Sequence, residues 1–470
     1  MMHRRSQEAS PRFTLHVSRF TFLIILLLPA TALAARSYSE RVQEHMLSNG
    51  MKVLLLEDHK APVGVLQVWY RVGSRNEELG KTGLSHLLEH MMFKGTDKYG
   101  PEDYSAIVQR NGGNENAFTT ADNTTYFATI AVDRLGIIIE LEADRMHNLK
   151  LDDAQFFPEL NVVMEERRLR NDNNPTSALF EELSSVAFSA HPYQWPVIGW
   201  MNDLRLATRE DALEYYRKHY TPGNAYAIVV GDFDSKEMLA LLEKHFGAVP
   251  PGPSAAPVRA VEPTQQGERR TVLRREAHLP YVCIAYHAPN LRSTDAYALD
   301  VLSEILSGGK SARIYQDLVY ERRLARSAGA GYDMTSVDPG LFYLYGQPLP
   351  GKSTSMIEAE LLKHVDRLQK TDVTERELAK ARNGIEAGFV LAQDSLFYQG
   401  MLLGQYEMAG GWRKLDEYLP AMRAVTAADI RRVASNYLTA DNRTVATLDA
   451  LPVSAGSMVP LEGAAGGPVH

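Results

Sequence analysis

Two stretches of this chain repeat one another, and that repetition restricts the possible folds more than any other feature. Thr208-Arg-Glu-Asp211 opens an amphipathic segment that runs into Tyr220-Thr-Pro-Gly-Asn224 and the apolar stretch Ala225-Tyr-Ala-Ile-Val-Val-Gly231. Thr426-Ala-Ala-Asp429 opens a second such segment, followed by Tyr437-Leu-Thr-Ala-Asp-Asn442 and Thr444-Val-Ala-Thr-Leu448. The Thr-to-Asn spacing is 16 in both. Thr followed by Asp three residues on is a helix N-terminus signature, because the hydroxyl and the carboxylate each satisfy a backbone N–H. Matched order and spacing indicate a duplicated domain.

Between the repeats, residues 249–270 are rich in Pro, Gly and small polar residues and read as a linker. The expected organisation is therefore a first domain over 35–248, the linker, and a homologous second domain over 271–451. A Gly/Ala/Pro/Ser-rich tail over 452–470 reads as disordered. Each half opens with apolar strands, Lys52–Glu57 and Val63–Val72 in the first. Helices and further strands such as Thr124–Ala131 follow without strict βαβ alternation. The predicted class is α+β: two homologous domains, each a mostly antiparallel sheet with helices packed on one face. With 45% hydrophobic and 23% charged residues, the chain has ample material for such cores.

The N-terminus is unlike the rest. Arg4, Arg5, Arg12 and Arg19 precede an apolar run from Phe20 and the small-residue site Ala32-Leu33-Ala34. This describes a removable export leader over 1–34, and hence a periplasmic or secreted protein. A membrane anchor is the competing reading, but the run is short and Pro29 interrupts it. The formal charge is −8, and without a leader carrying four Arg and one Glu the remainder stands at −11. Such acidity argues against nucleic acid as a partner. Cys283 is the only cysteine, so no internal disulfide exists; its apolar surroundings suggest a buried strand.

The chemistry lies in Gly83-Leu-Ser-His86-Leu-Leu-Glu89-His90-Met-Met-Phe93. On a helix, positions i, i+3 and i+4 share a face, so His86, Glu89 and His90 converge. Two imidazoles one turn apart can both reach a Zn²⁺ ion at about 2.0–2.1 Å, and Glu89 then stands beside the open position as a general base. This is the H-x-x-E-H arrangement of inverted zincins, although the pattern also arises by chance. A third protein ligand is required. Downstream, Phe157-Pro-Glu159-Leu-Asn-Val-Val-Met-Glu165-Glu166-Arg-Arg reads as a helix starting near Pro158, with Glu159, Val162, Val163 and Glu166 on one stripe. A solvated Glu/Arg face is the alternative and suits Glu165, Arg167 and Arg168. Periodicity leaves both open.

These residues resemble the pitrilysin family of metallopeptidases, which includes insulin-degrading enzyme and the mitochondrial processing peptidase. The resemblance spans essentially the whole chain after the leader. The family pairs H-x-x-E-H with a Glu about 75 residues later, itself preceded by another Glu at seven positions. Here 75 residues separate His90 from Glu166, and Glu159 lies seven before it. The resemblance thus implies metal ligands His86, His90 and Glu166, Glu89 as the catalytic base, and Glu159 as the carboxylate orienting a ligand. It also implies that the strand in Gly112-Gly-Asn-Glu-Asn116-Ala117-Phe118-Thr119 binds substrate as an added strand through Asn116, Ala117 and Phe118. Aligning Gly308 with Gly95 puts Leu299, Leu302 and Ser303 where His86, Glu89 and His90 stand, so one zinc per chain is expected.

One departure stands out. Family members often carry an Arg and a Tyr in the second half that approach the scissile carbonyl. Here Tyr320 stands near the Arg position and Arg326 near the Tyr position. The resemblance therefore implies a zinc endopeptidase for peptides or unfolded segments, working as a homodimer or with a zinc-less homologous partner that supplies the pair. The alternative is a non-catalytic structural or assembly subunit of the same fold, whose members usually lose the metal residues.

Overall fold

The computed structural model describes residues 37–254 and 256–452. The expected leader and nearly all of the expected tail lie outside the described residues.

The first sheet is built from β1 (Val42–Met46), β2 (Lys52–Glu57), β3 (Val63–Tyr70), β4 (Asn114–Thr119), β5 (Thr124–Ala131) and β6 (Ala225–Gly231), in the order β1-β2-β6-β3-β5-β4. The second uses β7 (Arg269–Glu276), β8 (Tyr281–Ala288), β9 (Ala325–Tyr332), β10 (Gly340–Pro348) and β11 (Arg443–Leu451), in the order β7-β11-β8-β10-β9. Setting β1 aside, the two orders are the same. In each sheet one pair is parallel, β2 with β6 and β7 with β11, and the rest are antiparallel. The α+β architecture with two homologous sheets is therefore as expected.

Helices α1 (Leu84–Met91), α2 (Leu135–Asn148), α3 (Asp153–Arg167), α4 (Pro175–Ala187) and α5 (Arg209–His219) belong to the first half. Helices α6 (Asp295–Ser307), α7 (Thr354–Lys370), α8 (Leu396–Ala409) and α9 (Ala427–Tyr437) belong to the second. The repeated Thr/Asp signatures are real capping boxes: Thr208 with Asp211 opens α5, and Thr426 with Asp429 opens α9. Most of each half's own helices gather on one face of its sheet. Val53, Leu55, Leu66 and Val68 point into the core with α1, α2 and α5. Val282, Ile284 and Phe342 point into the core with α6, α7 and α9.

The opposite faces are covered by exchange. Helix α4 of the first half lays Leu179, Leu183 and Ala187 on Cys283, Ala285, Leu341, Ala446 and Leu448 of the second sheet. Helix α8 of the second half packs on β3 and β6, placing Leu403 and Tyr406 in one core with Trp69, Tyr226 and Ile228. Burial on both faces explains why β6 and β8 read as nearly continuous apolar runs rather than alternating ones. Cys283 is fully buried in β8, as its sequence context suggested.

Two local expectations need correction. Helix α3 starts at Asp153, capped by Asp152, and Pro158 lies inside it rather than at its start. Within it Val162 is exposed while Arg167 is buried, so the anticipated apolar stripe and solvated face are each wrong at one residue. The segment expected to link the halves makes fixed contacts with both. Glu262 accepts from the N–H groups of Ser189, Ala190 and His191, and Gln265 donates to the Arg443 carbonyl.

Candidate metal centre

Helix α1 is short but firmly seated. Its Leu84, Leu87, Leu88 and Met91 are buried in the first core. Gly83 at its N-cap has φ +92°, a conformation that costs glycine little. The Glu77 carboxylate accepts from the Gly83 and Ser85 N–H groups, both at 2.7 Å, satisfying donors that a helix start leaves open. Burial pushes the Glu77 carboxyl up to about 8 against the pull of those N–H groups. Ser85 Oγ meets the Tyr215 hydroxyl of α5 at 2.8 Å, fixing the helix about its axis.

This seating turns His86, Glu89 and His90 toward α3. Glu166 Oε2 lies 3.3 Å from His90 Nε2 and 3.7 Å from His86 Nε2, and the three groups offer ligand atoms within 4.8 Å of one another. Ligands at about 2.0–2.1 Å from a tetrahedral zinc stand about 3.3–3.4 Å apart, so the spacing suits that ion. Glu166 Oε2 is buried within this cluster with no hydrogen bond, which is costly unless a further group satisfies it. Two imidazoles and one carboxylate also form a donor set suited to zinc. Among the described residues, this is the one cluster of its kind.

The surrounding contacts hold these groups in place. Glu159 Oε1 meets His90 Nδ1 at 2.8 Å, and its other oxygen pairs with Lys94 Nζ at 2.7 Å. Arg170 Nη1 takes Glu166 Oε1 at 2.8 Å, leaving Oε2 for the centre. The Thr119 hydroxyl, at the end of β4, donates to Glu89 Oε2 at 2.6 Å.

Charge follows from these contacts. Burial, then the neighbouring His90, drives His86 below the usual imidazole range. Burial also opposes charge on His90, but the hydrogen bond to Glu159 and the neighbouring Glu166 carboxylate outweigh it and raise that ring. Burial raises Glu89, with the Thr119 hydroxyl pulling the other way. Glu159 is held low because His90 and Lys94 overcome its burial.

Of the expected substrate-binding residues, Asn116, Ala117 and Phe118 lie on β4, an edge of the first sheet. Asn116 is exposed and turns its side-chain carbonyl back to the Ala117 N–H. Phe118 stands edge-on to Trp69, with ring centroids 5.9 Å apart, and lines a cleft of about 920 Å³ with Thr119, Phe180, Glu181, Tyr343 and Met408. Tyr320 is 66% exposed in a π-helical turn, and Arg326 is exposed on the edge strand β9. In the second half Leu299 and Leu302 are fully buried in the core. Sequence reasoning missed Lys94, Thr119 and Arg170. Lys94 and Arg170 each stand one helical turn beyond a ligand, a spacing that could have flagged them. Thr119 reaches Glu89 only through the tertiary fold.

Comparison with known proteins agrees with this architecture. Residues 52–199 match the family model described as insulinase, peptidase family M16, and residues 207–385 match that of the M16 inactive domain. The chain is 33% identical to the zinc protease PqqE of Helicobacter pylori over 418 residues, covering 88% of this chain and 94% of that protein. The crystal structure of a protease from Helicobacter pylori superposes with a TM-score of 0.84 at 32% identity, covering 87% of this chain and 99% of that one. The periplasmic protease PqqL of Escherichia coli shares the fold, with a TM-score of 0.73 at 16% identity over 89% of this chain and 49% of its own. Among the described residues no helix is long and apolar enough to cross a membrane. A chain that runs parallel to these proteins in sequence and in fold belongs to the M16 family of peptidases.

Proposed function

We propose that this chain is a zinc-dependent endopeptidase holding one Zn²⁺ between His86, His90 and Glu166, with Glu89 as its catalytic base. The observation that carries this reading is the convergence of two imidazole nitrogens and an otherwise unsatisfied buried carboxylate oxygen beside a second carboxylate. A zinc ion held by His86, His90 and Glu166 would supply Lewis-acid chemistry, polarising a scissile carbonyl and an attacking water. Glu89 takes the proton of that water and passes it to the leaving amine, and the Thr119 hydroxyl aims its carboxylate. Glu159, fixed by Lys94, orients the His90 ring through Nδ1 so that Nε2 faces the centre.

An extended peptide adds to the free edge of β4 at Asn116, where main-chain pairing tolerates many sequences. Its side chains enter the cleft beside Phe118. The exposed placement of Tyr320 and Arg326 favours a second chain of the same fold, identical or zinc-less, as the source of carbonyl-stabilising groups. The basic and apolar leader favours an exported location.

The test is Glu89→Gln with zinc content and peptide cleavage measured together. Retained zinc with lost cleavage supports the assignment; unchanged cleavage removes Glu89 from its role. The partner is tested by mass in solution and by activity of the purified chain alone, since full activity as a monomer would dismiss the second chain.

A further inference from the structure

Arg167 follows the proposed ligand Glu166 directly, yet it points the other way and is buried at 4% exposure. Its guanidinium ties two other segments to α3. Nη2 and Nη1 donate to the two oxygens of Glu181 on α4, at 2.8 and 3.2 Å, a bidentate pairing with fixed geometry. Nη1 also donates to the Gly199 carbonyl at 2.7 Å.

Gly199 lies backbone to backbone on Gly83, the N-cap of α1. A Cβ at Gly199 would stand 2.5 Å from the Gly83 Cα, and both glycines have positive φ. Through that contact the guanidinium touches the seat of the helix that carries His86 and His90. Through its own backbone it holds Glu166. Through Glu181 it reaches a helix that packs on the second sheet and walls the cleft.

The chain between α3 and α4 is suited to such a link. Residues Arg168–Asp172 form a π-helical turn, and Asn174 then caps α4 by accepting from the Thr176 and Ser177 N–H groups. Glu166 itself precedes this π turn, in the last turn of α3 beyond its last fully buried apolar residue, Val163, and needs a further constraint at that end. The Arg167–Glu181 pair supplies that constraint, and Asn171 adds a bond to Glu181 at 3.0 Å. Helix α4 is in turn fixed to the second sheet by its apolar face and by Arg269, which donates to the Val186 and Ala187 carbonyls.

We propose that Arg167 is a positioning residue that sets Glu166 against His86 and His90 by clamping α3 to Glu181 of α4 and to the Gly199–Gly83 seat of α1. The metal pocket is thereby referred to the second sheet as well as the first. This rests on the reading of His86, His90 and Glu166 as zinc ligands.

The experiment uses the full chain with two variants, Arg167→Lys, which keeps the charge but loses the fork, and Glu181→Gln, which keeps size and polarity. Zn²⁺ affinity is measured by competition with a chromophoric chelator. The absorption spectrum of the Co²⁺-loaded chain reports the ligand geometry, and the melting midpoint of the metal-free chain reports the fold. The expected result is a 10–100-fold loss of Zn²⁺ affinity and a shifted Co²⁺ spectrum in both variants, as for other groups that orient ligands, with a metal-free midpoint near that of the parent chain. Folded variants with parental affinity and spectrum overturn the proposal. So do two variants that both fail to fold, since the pair is then a strut of the fold alone. A parent chain with no tight zinc site overturns instead the ligand reading on which the proposal rests.

Discussion

Helices α1 and α6 hold the same place in two matching sheets, each following the strand that lies third from the β4 or β9 edge. They differ in what they turn inward. Helix α6 buries Leu299, Val301, Leu302, Ile305 and Leu306 completely or nearly so. Helix α1 buries His86 and keeps Glu89 and His90 partly covered, with one imidazole nitrogen unsatisfied. Apolar contacts stabilise the first arrangement, whereas desolvated polar groups weaken the second. A duplicated fold thus packs one half's helix with apolar side chains and loads the other's with desolvated polar groups.

The largest effect expected of this difference is on cleavage. Glu89→Gln should lower peptide hydrolysis by about 10²–10⁴-fold, the usual contribution of a general base, read with a quenched fluorescent peptide. The metal-free midpoint should not move, because Gln still offers Thr119 a carbonyl oxygen. A residual rate near that of the parent chain would place the base elsewhere.

Next in size is the cost of damaging the other helix. Leu302 is fully buried at the position matching Glu89. Leu302→Ala should destabilise the chain by about 2–5 kcal/mol through lost burial and a cavity, measured by urea unfolding. If Glu89→Gln proved equally destabilising, the contrast between a chemical and a structural helix would fail.

Zinc should then stabilise the chain through the first half only. At a free concentration a hundredfold above its dissociation constant, binding to the folded form adds about 2.7 kcal/mol. Glu166→Gln should abolish the resulting rise in melting midpoint, and Ser303→Ala in α6 should leave it intact. A zinc-dependent rise that survived loss of Glu166 would point to a site outside the cluster.

The contrast also shows which features a sequence exposes. His86, Glu89 and His90 were legible because a helix converts spacing into proximity, and Glu166 needed only a family spacing to separate it from Glu165. The strand boundaries of β2 and β6 followed from runs of apolar residues. What could not be read depends on contacts across the fold. Thr119 on Glu89, the burial of Arg167, and the exchange of α4 and α8 between sheets all join residues distant in sequence. Periodicity even misplaced Val162, because α3 packs along a narrower line than an ideal stripe. Pro158 misled for a related reason: tertiary packing outweighs the hydrogen bond that proline removes.

The smallest effects should be those in which the halves behave alike. Thr208→Ala and Thr426→Ala each remove one hydroxyl acceptor, from the Asp211 N–H and the Asp429 N–H, both at 3.1 Å. Each should cost about 1 kcal/mol, and the two costs should agree. The paired carboxylates allow a finer division. Asp211 is held below its ordinary 3.8 first by Lys81 and then by Thr208, whereas Asp429 is held below 3.8 first by Thr426. A depressed carboxyl contributes stability that is present above the unfolded value and is lost as pH falls through the folded one. Both Asp211→Asn and Asp429→Asn should therefore lower the melting midpoint above pH 3.8, where the contribution is fully present, and flatten its fall with acid below that value. Salt should separate them. The Lys81–Asp211 pair, 2.6 Å apart with the lysine half exposed, is open to screening and leads for Asp211, whereas for Asp429 the screenable partner, Arg432 at 3.3 Å, ranks behind the uncharged Thr426 hydroxyl. Raising ionic strength should shrink the Asp211 contribution more than that of Asp429, and equal shrinkage would mean that the two caps draw on the same forces after all.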